Sequence, residues 1–472
     1  MSTNKNSFIP SLGLFDATMI VAGSMIGSGI FIVSADMLKD LGSAGWLLLV
    51  WAITGFMTLT AALSYGELSA MYPKAGGQYV YLKEAYNSLV GFLYGWSFFA
   101  VIQTGTIAAV AVGFAKFAGY FFPILAWEDV NTFEFVGLKI HYAQLVGIIL
   151  IVLLTFINTK GVKTGKLIQT IFTSTKLLAL FGLIIAGLFM FNGQIWHANF
   201  QDLWSMNHLV KSDTGFISST PLLNGLALGA IASAMVGSIF SSDAWNNVTF
   251  IAGEIKNPKK NIGMSLFLGT LLVTIIYLLI NVVYLATVPI HDLAFAKDNR
   301  VALSASEAIF GGYGTIIIAI LIMISTFGCN NGLILAGARV YYTMANDGLF
   351  FKKASNLNSH SVPSWALWIQ CGMACILCLS GKYGDLLDMV SFVVVIFYVL
   401  TIAGIFILRQ TKPDMERPYK AFGYPILPII YILMGISFCV LLILYKPQFS
   451  WPGLLITILG APLYYFVKGR NK

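Results

Sequence analysis

The chain has 472 residues, of which 58% are hydrophobic, 14% aromatic and only 10% charged, with a formal net charge of +8. A soluble domain carries about 25% charged residues, so this composition excludes a water-soluble globule of comparable size and makes a membrane protein with many spans the expectation. The basic residues are scattered over short loops instead of gathered in one patch, which argues against a nucleic-acid partner and reads as topology signals facing an anionic leaflet.

A bilayer core about 30 Å thick needs about 20 apolar residues per helix. Taken in chain order, apolar runs at 13–35, 44–69, 88–122, 142–159, 167–190, 223–252, 263–288, 312–344, 364–380, 386–408, 425–445 and 451–467 predict twelve helices. The first run is too long and glycine-rich for the core of a signal peptide, and no small-residue cleavage site follows, so it reads as a retained span. Alternate loops carry nineteen and seven Lys plus Arg residues. The richer set includes Lys74, Lys83, Lys256, Lys259, Lys260, Arg409 and Lys412, and it holds both termini. The positive-inside rule therefore predicts that both ends are cytoplasmic, which an even number of spans requires.

Five ionisable residues fall inside these runs: Asp16, Glu67, Lys116, Lys176 and Asp243. Ionisable groups in hydrocarbon are costly and tend to face a cavity or a partner. Asp16 and Glu67 lie near span ends and are expected to reach the interface, and Lys116 is expected to snorkel outward. Lys176 and Asp243 sit deeper. The five cysteines, Cys329, Cys371, Cys375, Cys378 and Cys439, all lie in apolar runs with no histidine or carboxylate beside them, so neither a metal site nor a cofactor is expected.

Two runs are interrupted. The first reads Gly23-Ser24-Met25-Ile26-Gly27-Ser28-Gly29-Ile30-Phe31, and the sixth reads Val236-Gly237-Ser238-Ile239-Phe240-Ser241-Ser242-Asp243-Ala244-Trp245-Asn246-Asn247. Glycine-rich or polar backbone at membrane depth is tolerated where it lines a cavity or is buried in protein. The first run enters from the cytoplasm and the sixth from outside, so runs 1–5 and 6–10 have opposite topology, each led by a broken helix. Paired interruptions of this kind point to the binding site of a transporter. A broken helix exposes N–H groups at one new end and C=O groups at the other. A zwitterionic amino acid has one charge for each. The N–H groups of Gly27, Ser28 and Gly29 would take a carboxylate. The carbonyls of Met25 and Phe240, with Asp243, would take an ammonium, and Ser241, Ser242, Trp245 and Asn246 would line the pocket.

The sequence resembles the L-amino acid transporter family of the amino acid–polyamine–organocation superfamily. The resemblance rests on the first interrupted run, on Ser64-Tyr65-Gly66-Glu67-Leu68 and on Lys74-Ala75-Gly76-Gly77-Gln78-Tyr79. It continues through Thr173 to Leu180, Phe240 to Asn247, Gly253 to Pro258, Phe327 to Gly332, Ala338-Arg339 and Asp347-Gly348-Leu349. It implies an all-α integral membrane protein with the LeuT-type 5+5 inverted repeat. The expected units are 1–192 (helices 1–5), 193–410 (helices 6–10) and 411–472 (helices 11–12). It further implies Phe240 as an outer gate and Lys176 as a permanent charge where sodium-coupled relatives bind sodium. Animal members that pair with a glycoprotein heavy chain use a cysteine after span 3. The loop from Phe122 to His141 contains none, so no disulfide-linked heavy subunit is expected. Asp243 stands where many animal members carry glycine. It either binds a cation or proton, or accepts hydrogen bonds from N–H groups exposed in the break.

A membrane-embedded hydrolase would need a histidine near Ser242 and Asp243, but His141, His197, His208, His291 and His360 all fall in predicted loops. A channel would want a continuous polar lining or a repeated filter sequence. The function expected is sodium-independent secondary transport of neutral L-amino acids across the cell membrane, by exchange or proton-coupled uptake, not catalysis. An amino acid sensor and a carrier of cationic amino acids or amines are the alternatives.

Overall fold

The computed structural model describes residues 10–135, 138–223, 225–380 and 383–470. Lys5, Lys382 and Lys472, which enter the loop-charge comparison, lie outside the described residues, as do the side chains of Lys163, Lys166 and Arg470. The chain is almost wholly helical. It opens with α1 (Leu14–Met25), a 3-10 turn at Gly29–Phe31, α2 (Val33–Leu41), α3 (Ala44–Met71) and α4 (Gln78–Ala85). Next come α5 (Ser88–Ser97), a π-helical stretch (Phe98–Ile102), α6 (Gln103–Ala118) and a hairpin of β1 (Thr132–Phe135) and β2 (Leu138–His141). There follow α7 (Tyr142–Thr159), α8 (Val162–Phe189), α9 (Gly193–Phe200) and a second hairpin of β3 (Asn207–Lys211) and β4 (Ile217–Pro221). The second part holds α10 (Gly225–Ser241), α11 (Asn247–Phe250), α12 (Pro258–Thr287), α13 (Ile290–Ala294) and α14 (Val301–Asn346). It closes with α15 (Ser364–Ser380), α16 (Tyr383–Thr411), α17 (Ile426–Tyr445) and α18 (Pro447–Arg470).

Among the described residues, nine helices are long and apolar enough to cross a membrane, and α1, α10 and α15 are shorter apolar helices. Their backbone groups are satisfied within each segment, the condition hydrocarbon imposes. Large apolar side chains such as Leu178, Phe189, Leu444 and Phe466 point outward and are exposed, as a lipid-facing surface requires. The chain is therefore a multi-pass membrane protein. The predicted runs 44–69, 142–159 and 364–380 correspond closely to α3, α7 and α15. The run at 312–344 begins just beyond a sharp bend in α14 at Gly311, whose φ of 70° is open to a residue without a Cβ. The short elements α4, α9 and α13 and the two hairpins lie outside the apolar runs and carry no hydrophobic stretch long enough to announce them.

Local capping fixes the helix starts. Asp16 turns back to accept the Gly13 N–H at 2.9 Å, which places a carboxylate at the positive end of α1. Asn87 accepts the Val90 N–H at the start of α5. In the core, α1 lies against α12, α8 and α14, α3 lies along α12, and α10 packs on α2, α3 and α16. The two interrupted segments thus meet at the centre of the bundle.

Two expectations for charged residues change. Glu67 does not reach solvent. It is fully buried, and it accepts from Arg409 at 3.0 and 2.7 Å and from the Ala421 N–H at 2.7 Å, with Arg417 3.4 Å away. Lys116 does not snorkel freely; its ammonium sits 5.2 Å from the centre of the Tyr383 ring. Both follow from packing: a nearby cation or aromatic face satisfies the charge before the side chain reaches the interface.

The end of the bundle where α3 finishes is held by further ion pairs. Glu254, just after α11, accepts from Arg339 of α14 at 3.2 Å, and both are buried. The Glu254 carbonyl also accepts the Ser11 and Leu12 N–H groups, tying the segment before α1 to the segment after α11. Breaking one partner of a buried pair costs about 3–5 kcal/mol, whereas replacing both with apolar residues is far milder. Glu254→Ala should therefore lower the unfolding midpoint of the purified protein in a detergent-denaturant titration much more than the double change Glu254→Leu with Arg339→Leu. Equal losses for the two would refute the pairing as a source of stability.

Candidate functional site

The site is built where α1 stops. A helix leaves its last four carbonyls without an internal partner, and burial makes each unmet group expensive. Here side chains from three other helices meet all four. Lys176 Nζ of α8 donates to the Gly23 carbonyl at 2.8 Å and to the Ile26 carbonyl at 2.7 Å. The Cys329 thiol of α14 donates to the Ser24 carbonyl at 3.1 Å, and the Tyr277 hydroxyl of α12 lies 3.1 Å from the Met25 carbonyl. Lys176 is fully buried. The chain then runs non-helically through Ile26 to Ser28 before the 3-10 turn. Among the described residues, no acceptor meets the N–H groups of Gly27, Ser28 or Gly29. The break therefore presents spent carbonyls on one side and open amides on the other.

The second break faces it. Helix α10 ends at Ser241, Asp243 N–H turns back to the Phe240 carbonyl at 3.2 Å, and Ala244 takes a left-handed φ of 62° before α11. Gly29 and Ser241 touch so closely that a Cβ at position 29 would collide with the Ser241 side chain. Tyr277 joins the two breaks, because its hydroxyl is also 3.0 Å from the Ser241 carbonyl.

Above the open amides, the Ser28 and Tyr383 hydroxyls are 3.1 Å apart, and the Tyr383 ring meets Phe240 edge-to-face at 6.2 Å. Ser28 and both rings of this aromatic pair are buried. A cavity of about 700 Å³ opens on its other side. The floor of that cavity includes Val33, Val236 and Gly237, close along the chain to Phe31 and Phe240, and its walls carry Asp40, Lys211 and Asp388.

The structure brings Gly27, Ser28, Gly29, Met25, Phe240, Ser241 and Lys176 to one place. It sets others apart. The Met25 carbonyl is held by Tyr277 and the Phe240 carbonyl by its own turn. Trp245 packs against Tyr65 and Tyr398 at 4.7 and 5.2 Å, and Asn246 donates to Gln78 at 2.9 Å. Ser242 and Asp243 line a separate small cavity with α3, α16 and α17 residues. Sequence reasoning did not find Tyr277, Cys329 or Tyr383, for each is an ordinary residue of an apolar helix and no local signal marks it.

Comparison with known proteins gives this arrangement a family. The amino acid permease model matches residues 12–466. The chain belongs to the amino acid permease family. Within it, this permease is 31% identical over 456 residues to the human large neutral amino acids transporter small subunit 2, covering 96% of this chain and 79% of the relative. It is 29% identical over 474 residues to the serine/threonine exchanger SteT of Bacillus subtilis, covering the whole of both chains. It is 28% identical over 455 residues to the mouse Asc-type amino acid transporter 1, covering 96% and 80%.

The permease's histidines are not all in loops as expected. His197 lies on α9, His208 on β3 and His291 on α13, while His141 ends β2 and stacks on Trp127. These are short elements in the connections between long helices, away from Ser242 and Asp243.

The contact of the two breaks can be tested directly. Gly29→Ala should abolish uptake while protein still reaches the membrane, because its Cβ collides with Ser241. Adding Ser241→Gly removes the nearest colliding atoms and should restore part of the activity, measured as initial uptake per folded protein. Normal uptake by Gly29→Ala alone would refute the close approach.

Proposed function

We propose that this permease is a sodium-independent secondary transporter of neutral L-amino acids that works by alternating access. It would move its substrate by exchange or by proton-coupled uptake. The observation that carries the reading is the asymmetry of the first break: among the described residues, amides of Gly27, Ser28 and Gly29 without acceptors, beside carbonyls already hydrogen-bonded by Lys176, Cys329 and Tyr277. Open amides at a helix start hold an anion, and every α-amino acid offers a carboxylate. The ammonium would sit toward the second break, on free lone pairs of its carbonyls. The relatives, named as neutral amino acid and serine/threonine carriers, support the same substrate class.

The nine long apolar helices and three shorter ones would supply twelve spans. Paired breaks leading two halves support the LeuT-type 5+5 arrangement, with 1–192 and 193–410 as inverted repeats and 411–472 as an appended pair. Loop charge supports a cell-membrane location with both termini cytoplasmic. The cavity of about 700 Å³ would then face outward, and Phe240 with Tyr383 would form the lid between it and the substrate. The loop from Phe122 to His141 carries no cysteine for a disulfide-linked heavy subunit.

Lys176 would replace a coupling sodium ion. A sodium ion at a helix break holds carbonyl oxygens with a removable charge, whereas an ammonium covalently attached to α8 holds them permanently. Uptake of radiolabelled serine, threonine or leucine into proteoliposomes should be the same in sodium and in potassium buffers. Lys176→Ala should leave at most about a tenth of it, since hydrogen bonds to a charged group contribute about 1.5–3 kcal/mol each and two are lost. A strict sodium requirement would overturn the assignment of Lys176.

The lid has its own test. Phe240→Ala should lower turnover at saturating substrate more than it lowers the amount of protein in the membrane, while Phe240→Trp keeps an aromatic lid and should be milder. Unchanged kinetics in Phe240→Ala would remove the gating role.

A further inference from the structure

Asp243 is a carboxylate to which the transport reading assigns no firm task. It follows the end of α10 inside the second break and is buried. The Tyr398 hydroxyl of α16 donates to its Oδ1. Among the described residues, no lysine, arginine or histidine nitrogen comes within 4.0 Å of it. The buried Lys176 is committed to the carbonyls of α1. Among the described residues, the titratable groups that face Asp243 are tyrosines: Tyr398 of α16, Tyr431 of α17 and Tyr94 of α5, with Tyr65 of α3 behind Tyr398.

A carboxylate buried without a counter-charge is strongly disfavoured. The cost disappears if it takes up a cation or a proton. The small cavity beside Asp243 decides between these. Its volume is about 20 Å³, which is room for about one water molecule. Among its wall hydroxyls, Thr54 shares a hydrogen bond with Ser238 at 2.7 Å and Thr58 donates to the Thr54 carbonyl at 2.9 Å, which leaves those of Ser242 and Tyr431. Hard metal cations take about six oxygens, and a set of that size is not on offer. A proton needs only the carboxylate oxygen that Tyr398 leaves free.

We infer that Asp243 is a proton-binding site, and that its loading allows the second break to close, so that one proton travels inward with each amino acid. The step is –COO⁻ plus a proton from outside giving –COOH. The same O–H bond breaks toward the inside once that face opens, and no bond to the substrate is made. The charged form requires access to water, whereas the neutral form tolerates the closed packing seen here between α3, α10, α16 and α17. This rests on the transport reading and chooses between its two modes. Gly27, Ser28 and Gly29 are not among the residues that line the small cavity, so proton and substrate carboxylate do not compete for the same groups.

The test uses the full chain in proteoliposomes together with an infrared measurement. With an inward gradient of about two pH units, one proton per substrate permits accumulation up to ~100-fold. Wild-type uptake should rise with that gradient and not with a sodium gradient. Asp243→Asn, matched for thermal stability, should lose the response to the gradient and show a flattened pH profile. The infrared spectrum of wild-type protein should contain a protonated-carboxyl band that shifts on labelling aspartate and is missing in Asp243→Asn. Tyr398→Phe should move that band, because its hydroxyl touches the same carboxyl. A gradient response that survives in Asp243→Asn, a sodium-driven response, or spectra without a band difference would each overturn the inference. Absence of any uptake would instead bring down the transport reading, and the infrared band would still decide whether Asp243 holds a proton.

Discussion

The central arrangement depends on one ammonium group. Lys176 ties the Gly23 and Ile26 carbonyls together across the point where α1 stops. Ending a helix in the middle of a membrane leaves four carbonyls that neither water nor lipid can satisfy. The chain meets that cost with one lysine, one thiol and one phenol, each from a different helix. Because these partners lie on α8, α14 and α12, the break in α1 also holds the surrounding bundle in register. The amides beyond the break are left for something else, and a substrate carboxylate has the right charge.

The second break is organised differently. It has no lysine, and its carbonyls are partly taken by its own turn and by Tyr277. Its buried charge is negative and hydrogen-bonded by a tyrosine hydroxyl. One interrupted helix therefore has a lysine ammonium at its carbonyl end, and the other has a buried carboxyl group. The contact of Gly29 with Ser241 and the shared Tyr277 hydroxyl bring these two devices within one small volume.

The two ends of the bundle also differ. At the end where α3 finishes, the buried Glu67 pairs with the partly exposed Arg409, and the buried Glu254 pairs with the buried Arg339, tying α3, α14 and α16 to loops. At the other end, the cavity walls carry partly exposed charges, among them Lys446 paired with Asp388 at 3.0 Å. Buried pairs are costly to open one partner at a time, whereas exposed pairs contribute little. The cavity of about 700 Å³ opens at the second end.

The sequence by itself determined the class, the positions of the long helices and the existence of both breaks. Hydrophobic run length and glycine clustering are local properties, and hydrocarbon leaves the backbone few choices. Lys176 was legible because a lysine in mid-run demands a partner. Its partner could be assigned to the first break only through family resemblance, since the two lie 153 residues apart. Only the tertiary structure decided that Tyr277, Cys329 and Tyr383 complete the site. It also decided that Glu67 is sealed inside an ion pair, and that Asp243 faces tyrosines and threonines rather than the open amides. These outcomes rest on contacts such as Ser28 with Tyr383, 355 residues apart. A hydroxyl on an apolar helix looks the same in sequence whether it faces lipid, a neighbouring helix or a broken one, and helix packing alone makes the difference.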